Sequence, residues 1–565
     1  MRRTWIGVTL FPLAIAWVLA SPQASTLANP GDPPARVARL SYLEGSVSFE
    51  PSGSSDWGQA ALNYPLTSGD RLYVEQGGRA ELDIGGIVVR LADTSDLTIT
   101  DLSDQAVQLG LAQGTARLSV ADLSQGDTLE VDTPNGALLV LNPGAYRIDV
   151  ATADSATLVS VDSGSLEVSG GDVSQTFQGA QAVRLTGGNP VQVQSVAMAA
   201  PDGFDRWSAG RDHALASATS ARYVSRDVPG YADLDGAGRW EDSPDGPVWY
   251  PAAVPVGWVP YRYGRWVWVE PWGWTWVEDE PWGFAPFHYG RWAFVGSAWG
   301  WFPGPVIRRP CYAPALVAFV DGSGFAVGVG VGVQAWFPLG PREPYYPWYH
   351  HSDDYLRVVN VTNIRNVTDI NVITHGVTRI DYVNRRVATT AVEGTHFRRG
   401  EPVARNVVAV DPERATRAPL VPHPSVAPAA TAELGGRVAP APRVATRPRP
   451  MTVSRATPTL PTRPATLPNR PAVIPRSVAP ARAARPLVAR RPAPPPTPSF
   501  PARSQAMQAH PGRPLEPQQV QNLRAGRPAG PMRDREVPPH PAPAPRAAPR
   551  AAPAAGPRAA PKRGH

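Results

Sequence analysis

Residues 238–302 read GRWEDSPDGPVWYPAAVPVGWVPYRYGRWVWVEPWGWTWVEDEPWGFAPFHYGRWAFVGSAWGWF, and twelve of the chain's 18 tryptophans fall inside them. Gly238-Arg239-Trp240, Gly264-Arg265-Trp266 and Gly290-Arg291-Trp292 recur at an offset of 26 residues, which marks an internal repeat. Other columns keep the same register, with Gly257 to Tyr263 mapping onto Gly283 to Tyr289.

Each unit is predicted to be a β-hairpin. In the central one a strand from Arg265 to Val269 leads to the turn Glu270-Pro271-Trp272-Gly273 and a return strand from Trp274 to Val277. Proline presets one backbone angle and glycine tolerates the reversal that follows. Rings on the two strands then meet across the pair, each aromatic pair adding about 0.5 to 1.5 kcal/mol beyond burial. A lone hairpin is marginal in water, so the units must stack on each other or on a neighbouring domain. The glycine of each Gly-Arg-Trp is expected to mark close approach by a ring, and the arginine to lie over a ring face. Two readings of the aromatics stay open. They are a packing device, or a row of ring faces binds sugars or quaternary ammonium groups, as in the choline-binding repeats that the hairpins loosely resemble. Trp268, Trp272, Trp274 and Trp276 lie outside the shared columns and are the candidates for such a row.

Outward from this stretch the composition changes. From Arg36 to about Val196, short alternating runs such as Val47/Phe49, Leu129/Val131 and Tyr146/Ile148/Val150 are separated by turn signals, among them Gly69-Asp70, Asn135-Gly136 and Pro143-Gly144. Period-two alternation with turns every 8 to 12 residues predicts an all-β unit over residues 36–196. Residues 202–222 lose the alternation and are expected to form a helical linker, with Phe204 and Trp207 on one side. The hairpin repeat domain is placed at 223–345. An Asn/Val-rich extension follows at 346–411, where apolar residues at 361, 364, 367 and 370 suggest an extended three-fold strip. Past residue 412 the text is Pro, Ala, Arg and Thr with only five acids, and the segment 412–565 is predicted to be a disordered tail.

The fold class is therefore mainly β. Arg2 and Arg3 precede an apolar run from Ile6 to Ala20, the form of a signal peptide over residues 1–20. The run is short for a membrane span, so cleavage is expected, with no stable span in the mature chain. Cys311 is the single cysteine, so no disulfide can form within one chain. The net charge of +6 comes from arginine, Lys562 being the only lysine, and export argues against nucleic acid as the partner.

The run from Leu66 to Leu72, Arg79 to Leu82, Thr133-Pro134-Asn135-Gly136, Gly144 to Val150 and Val161 to Val168 together resemble the FecR domain. Its namesake is an inner-membrane regulator whose periplasmic part senses a transporter and whose cytoplasmic end controls a sigma factor. The resemblance implies a periplasmic β domain; with five residues ahead of the apolar run, sigma-factor control is not expected to come with it. PGYADLDGAGRW, GPVWYP, PWGW, YAPALVAFV and WFPLGPREPYYPWY, over about 223 to 410, resemble a tryptophan-rich domain of unknown function that often follows a FecR domain in exported bacterial proteins.

No nucleophile elbow, HExxH, CxxC or phosphate loop is present, and no catalytic, cofactor or metal residues are assigned. Asp233 with Asp235, and Glu278 with Asp279 and Glu280, are the carboxylates that could be imagined as a glycosidase pair, but turns collect acids. His350-His351 reads as a polar loop. The expectation is a non-enzymatic structural or interaction protein of the bacterial envelope, periplasmic or secreted, whose partner is an envelope protein or wall polymer. The alternatives are a glycan-binding module and an envelope signalling component.

Overall fold

The computed structural model of the chain describes Asn29 and residues 31–188, 190–325, 332–360, 381–442, 449–452 and 485–532. The expected signal segment and the period-three positions lie outside them, as does most of the Val-Gly run.

In the first domain the strand Ala106–Val120 is the pivot. Its first half pairs antiparallel with Asp96–Leu102 and parallel with Thr128–Asp132, and its second half pairs antiparallel with Ile87–Leu91 and Ala137–Ala151. Long strands thus carry one continuous sheet round a core in which Leu109, Leu129, Val131, Leu138, Ile148, Val159 and Val168 are all buried. Alternation is what allows this, because every second side chain points the same way. Pro143-Gly144 does not reverse the chain as expected. The strand Ala137–Ala151 runs through it with a bulge at Asn142 to Tyr146, opposite Gly164 of the strand Ala156–Gly170. Gly164 sits at φ 83, and a Cβ there would lie 2.2 Å from the Tyr146 hydroxyl, so the bulge is built around that ring.

The predicted linker helix forms as Gly203–Ser217, started by a reciprocal capping box between Asp202 and Asp205. Phe204 and Trp207 stack with ring centroids 5.6 Å apart. The helix docks on a ladder of arginines that the sequence reading missed. Arg90, Arg117 and Arg147 sit directly opposite one another on three adjacent strands, an arrangement of like charges that repels. Asp212 meets Arg90 at 2.7 Å, Asp205 meets Arg117 at 2.7 Å and Arg147 at 2.8 Å, and Asp202 meets Arg147 at 2.7 Å. Acids on the helix turn the repulsion into attachment.

The tryptophan repeat folds as three hairpins, Gly238–Ser243 with Gly246–Pro251, Gly264–Val269 with Gly273–Glu278, and Arg291–Val295 with Ala298–Phe302. The outer two join through Trp249 and Trp301 into a four-stranded sheet. Trp240 faces Trp249, Trp266 faces Trp276 and Trp292 faces Trp301 across the strands. The glycines do what their columns suggested. A Cβ on Gly238, Gly264 or Gly290 would lie 2.4 Å from Trp249, 2.7 Å from Trp276 or 2.6 Å from Trp301. The arginines divide: Arg239 lies 5.1 Å over Tyr250, whereas Arg265 and Arg291 are buried and donate to the carbonyls of Gly435 and Glu343. A second four-stranded sheet, from Val317–Asp321, Val333–Pro338, Thr390–Glu393 and Leu420–Val421, covers the central hairpin.

Two segments take up structure that the composition of the extension and of the tail did not single out. Within the extension, Asp353–Asn360 is helical, and Asn360 is held by Tyr345, Leu356 and Arg291. Within the tail, residues 412–442, 449–452 and 485–532 take up structure against both domains, including helices Pro412–Arg417, Phe500–Ala509 and Pro517–Arg524. Prolines of this segment stand in the first turns of these helices, where the missing N–H costs nothing. Residues 443–448, 453–484 and 533–565 lie outside the described residues.

Replacing Gly264 by alanine would set its new methyl 2.2 Å from the Val277 carbonyl oxygen as well as against Trp276. Overpacking of this kind costs about 1–3 kcal/mol or more. A chemical denaturation midpoint lowered accordingly, followed by circular dichroism, is the expected outcome; an unchanged midpoint would mean the hairpin is not closed on that glycine.

Candidate functional site

The two domains meet around a buried guanidinium. Arg39, 2% exposed, donates from Nε to Asn63 Oδ1 at 3.0 Å, from Nη1 to Asp233 Oδ2 at 2.5 Å and from Nη2 to the Pro281 carbonyl at 2.7 Å. Asn63 in turn donates to the carbonyls of Glu278 and Glu280 at 3.0 and 2.7 Å. Four of the five imagined glycosidase carboxylates have partners that account for them. Asp233 binds Arg39, Asp235 accepts from the backbone of Thr219 and Ser220, Asp279 pairs with Arg265, and Glu278 accepts from Trp276 Nε1 at 2.9 Å. Burial drives the Glu278 carboxyl well above the ordinary range.

Beside this junction lies a cavity of about 410 Å³. Its walls come from the N-terminal segment, the first domain at Tyr64, Asp70 and Asp104, the turn of the central hairpin at Trp268, Glu270 and Pro271, and the C-terminal segment at Glu433, Arg503, Leu515 and Val520. The Gly-Asp motif shapes one wall. Asp70 accepts from the backbone of Ser52 at 2.8 Å and of Thr67 at 2.7 Å, fixing the turn that precedes Arg71. Opposite it, Arg503 Nη1 is 2.8 Å from both Glu270 and Glu433, tying the hairpin to the C-terminal segment. Arg503 Nη2 is buried without a hydrogen-bond partner. Burial raises the Glu433 carboxyl to about 7, outweighing the attraction of Arg503, which is shared with Glu270.

The four candidate ring-binding tryptophans are all inside. Trp268 is 2% exposed and Trp272, Trp274 and Trp276 are 0% exposed. Trp268 donates to Glu270 and packs edge-on against Trp274 at 5.4 Å; of the four it alone lines the cavity. Trp272 packs on Tyr312, Trp274 donates to the Val426 carbonyl, and Trp276 lies against Phe287. They form no exposed row. The second sheet and the C-terminal segment close the central hairpin, so both its strands are buried at every position.

Among the described residues no three His, Cys, Asp or Glu side chains converge as a metal site. His350 lines the cavity, while His351 Nδ1 is 2.9 Å from the Tyr349 carbonyl oxygen. His288, missed in the sequence, is buried and neutral, its pKa lowered to about 3 by burial. Arg503 and Glu433 were missed because they sit in text that reads as tail. The signal that could have found them is Glu433 itself, a lone acid in an arginine-rich segment.

Residues 70–167 match the family model described as FecR protein, and residues 231–343 match the one described as a family of unknown function, DUF6600. Both domain resemblances read from the motifs are shown by these matches. Two crystal structures from Parabacteroides distasonis ATCC 8503, each provisionally described as an anti-sigma factor, are similar to parts of the chain. One, at 1.65 Å resolution, is 18% identical with a TM-score of 0.20, covering 22% of this chain and 60% of that one. The other, at 2.50 Å, is 15% identical with a TM-score of 0.21, covering 32% and 99%. Likeness at these scores bears on neither function nor mechanism. No curated protein matches the chain.

Because the folded Glu433 carboxyl holds its proton up to about 7, and an unfolded one only to about 4.3, its contribution to stability is full below the lower value and is lost as pH rises through the higher one. Melting temperatures of the full chain between pH 5 and 8 should show a steeper decline than those of Glu433→Gln. Equal slopes would show that Glu433 is ionised in the folded protein.

Proposed function

We propose that this chain is an exported, non-enzymatic interaction protein of the bacterial envelope, in which a FecR-like domain and a tryptophan-rich domain work as one unit. The observation that carries the reading is the commitment of the chemistry-bearing side chains to the junction. Of the carboxylates considered for catalysis, Asp233 holds Arg39, Asp279 holds Arg265, Asp235 a helix start and Glu278 an indole. The aromatic repeat, the other candidate for chemistry, is spent on packing.

The FecR match supports a role in envelope signalling in the broad sense. Among the described residues no helix is long and apolar enough to cross a membrane. Envelope placement therefore leans on the family match and on the form of residues 1–20. Exposed apolar side chains at Phe294 and Val295 of the third hairpin, and at Val306 after it, offer contact points for a partner.

Fractionation of cells expressing the full chain with a C-terminal tag tests this. The expected product is shortened by the signal segment, protected from added protease in whole cells and degraded in spheroplasts. A full-length product held in the cytoplasm would overturn export. Retention of the purified chain on peptidoglycan would replace the protein-interaction reading with wall binding.

A further inference from the structure

The strand Thr128–Asp132 alternates. Leu129 and Val131 point into the core of the first domain, and Glu130 and Asp132 point to the other face. On that face they stand beside Gln108, whose Nε2 donates to Glu130 Oε1 at 3.2 Å and Asp132 Oδ2 at 2.9 Å. Such a trio belongs on a solvated surface, yet Glu130 is 0% exposed. A stretch of the C-terminal segment, Arg485-Pro486-Leu487-Val488-Ala489-Arg490-Arg491, lies across it.

The contacts are those of an extended peptide in a receptor. Val488 forms an antiparallel bridge with Thr133, its N–H donating to the Thr133 carbonyl at 2.8 Å. Glu130 Oε1 accepts from the N–H groups of Arg490 and Arg491 at 2.9 and 3.2 Å, and Gln108 donates to the Arg491 carbonyl at 3.1 Å. These bonds read backbone and give affinity without sequence preference.

Two further contacts are selective. Leu487 drops onto Gly110, where a Cβ would lie 2.6 Å from its Cδ1, so the pocket exists because that residue is glycine. The Arg490 guanidinium reaches Glu167 at 3.2 Å.

The face is not built as a permanent core. Glu130 Oε2 and Asp132 Oδ1 are buried with no hydrogen-bond partner. Burial, and then the neighbouring Glu130, pushes the Asp132 carboxyl well above the ordinary range. Water that replaces the covering segment would relieve the burial of both groups. The strand's apolar side chains, Leu129 and Val131, are buried on the opposite face.

We propose that the outer face of Thr128–Asp132 is a peptide-binding groove for an extended segment carrying an aliphatic residue and, three positions on, an arginine, and that Arg485–Arg491 is its resident, displaceable ligand. The occupant it serves is such a segment from another protein. This gives a site to the interaction reading, and it stands on the groove geometry independently of where the protein resides.

The probe is a fluorescein-labelled peptide with the sequence of residues 485–491, added to purified full-length protein and followed by anisotropy. Wild-type chain should bind it weakly because the groove is filled. Leu487→Asp/Val488→Asp, which dislodges the resident segment, should bind at least about tenfold more tightly, and adding Glu130→Ala should cancel that gain. A peptide with the Leu487 and Arg490 equivalents replaced by aspartate should bind none of them. If the dislodged variant binds no better than wild type, or if Glu130→Ala leaves its affinity unchanged, the groove is intramolecular packing only. Should the double variant fail to fold by circular dichroism, amide exchange on wild-type chain decides. Saturating peptide should speed exchange at Val488 and Arg490 if the segment is displaceable, and unchanged exchange there would overturn the proposal.

Discussion

A guanidinium removed from water costs several kcal/mol unless each of its donors is met, and at Arg39 the partners come from two domains. Asn63 belongs to the FecR-like domain; Asp233 and the Pro281 carbonyl belong to the tryptophan-rich one. Neither domain alone can satisfy the group. The same logic reaches outward, since Asn63 also ties down the carbonyls that end the central hairpin, and Gly230 donates to Asp83 at 3.1 Å. The buried side chains of both domains accordingly form a single contiguous apolar cluster. The hairpins do not lean on a finished first domain; the two complete each other.

The strands of the first domain were legible because one face is apolar and the other polar, and period two then has a single reading. The same signal could not show that Ala106–Val120 and Ala137–Ala151 each serve two sets of neighbours, since alternation continues unbroken through a bend. Nor could it show the ladder of Arg90, Arg117 and Arg147, because register across strands is a property of pairing. The hairpin repeat was legible in its register, down to the glycines beneath the indoles, though not in the burial of Arg265 and Arg291.

What the repeat concealed was its own burial. Aromatic density reads equally well as a binding surface or a core, and only the arrival of chain from far downstream decides between them. Trp274 donates to Val426, Arg265 to Gly435, and Glu270 meets Arg503. These partners lie in text whose composition argues against a core, yet a few anchoring residues spaced along a proline-rich segment suffice to dock it on a surface prepared elsewhere. Composition describes what a segment can bury by itself, not what it can cover.

The distribution of indoles has a spectroscopic consequence. The FecR-like domain, residues 36–196, contains only Trp57, whereas twelve tryptophans lie between residues 240 and 301 and two more at 336 and 348. Near-ultraviolet absorption and emission of this protein are therefore almost wholly a signal from one domain. With Trp249, Trp266, Trp272 and Trp301 sealed from water, and with ring centroids 5.6 Å apart in Trp266–Trp276 and 5.4 Å apart in Trp258–Trp292 and Trp268–Trp274, excitation passes between neighbours before it is emitted. The molecule carries, in the residues that close its second domain, an optical gauge of that closure.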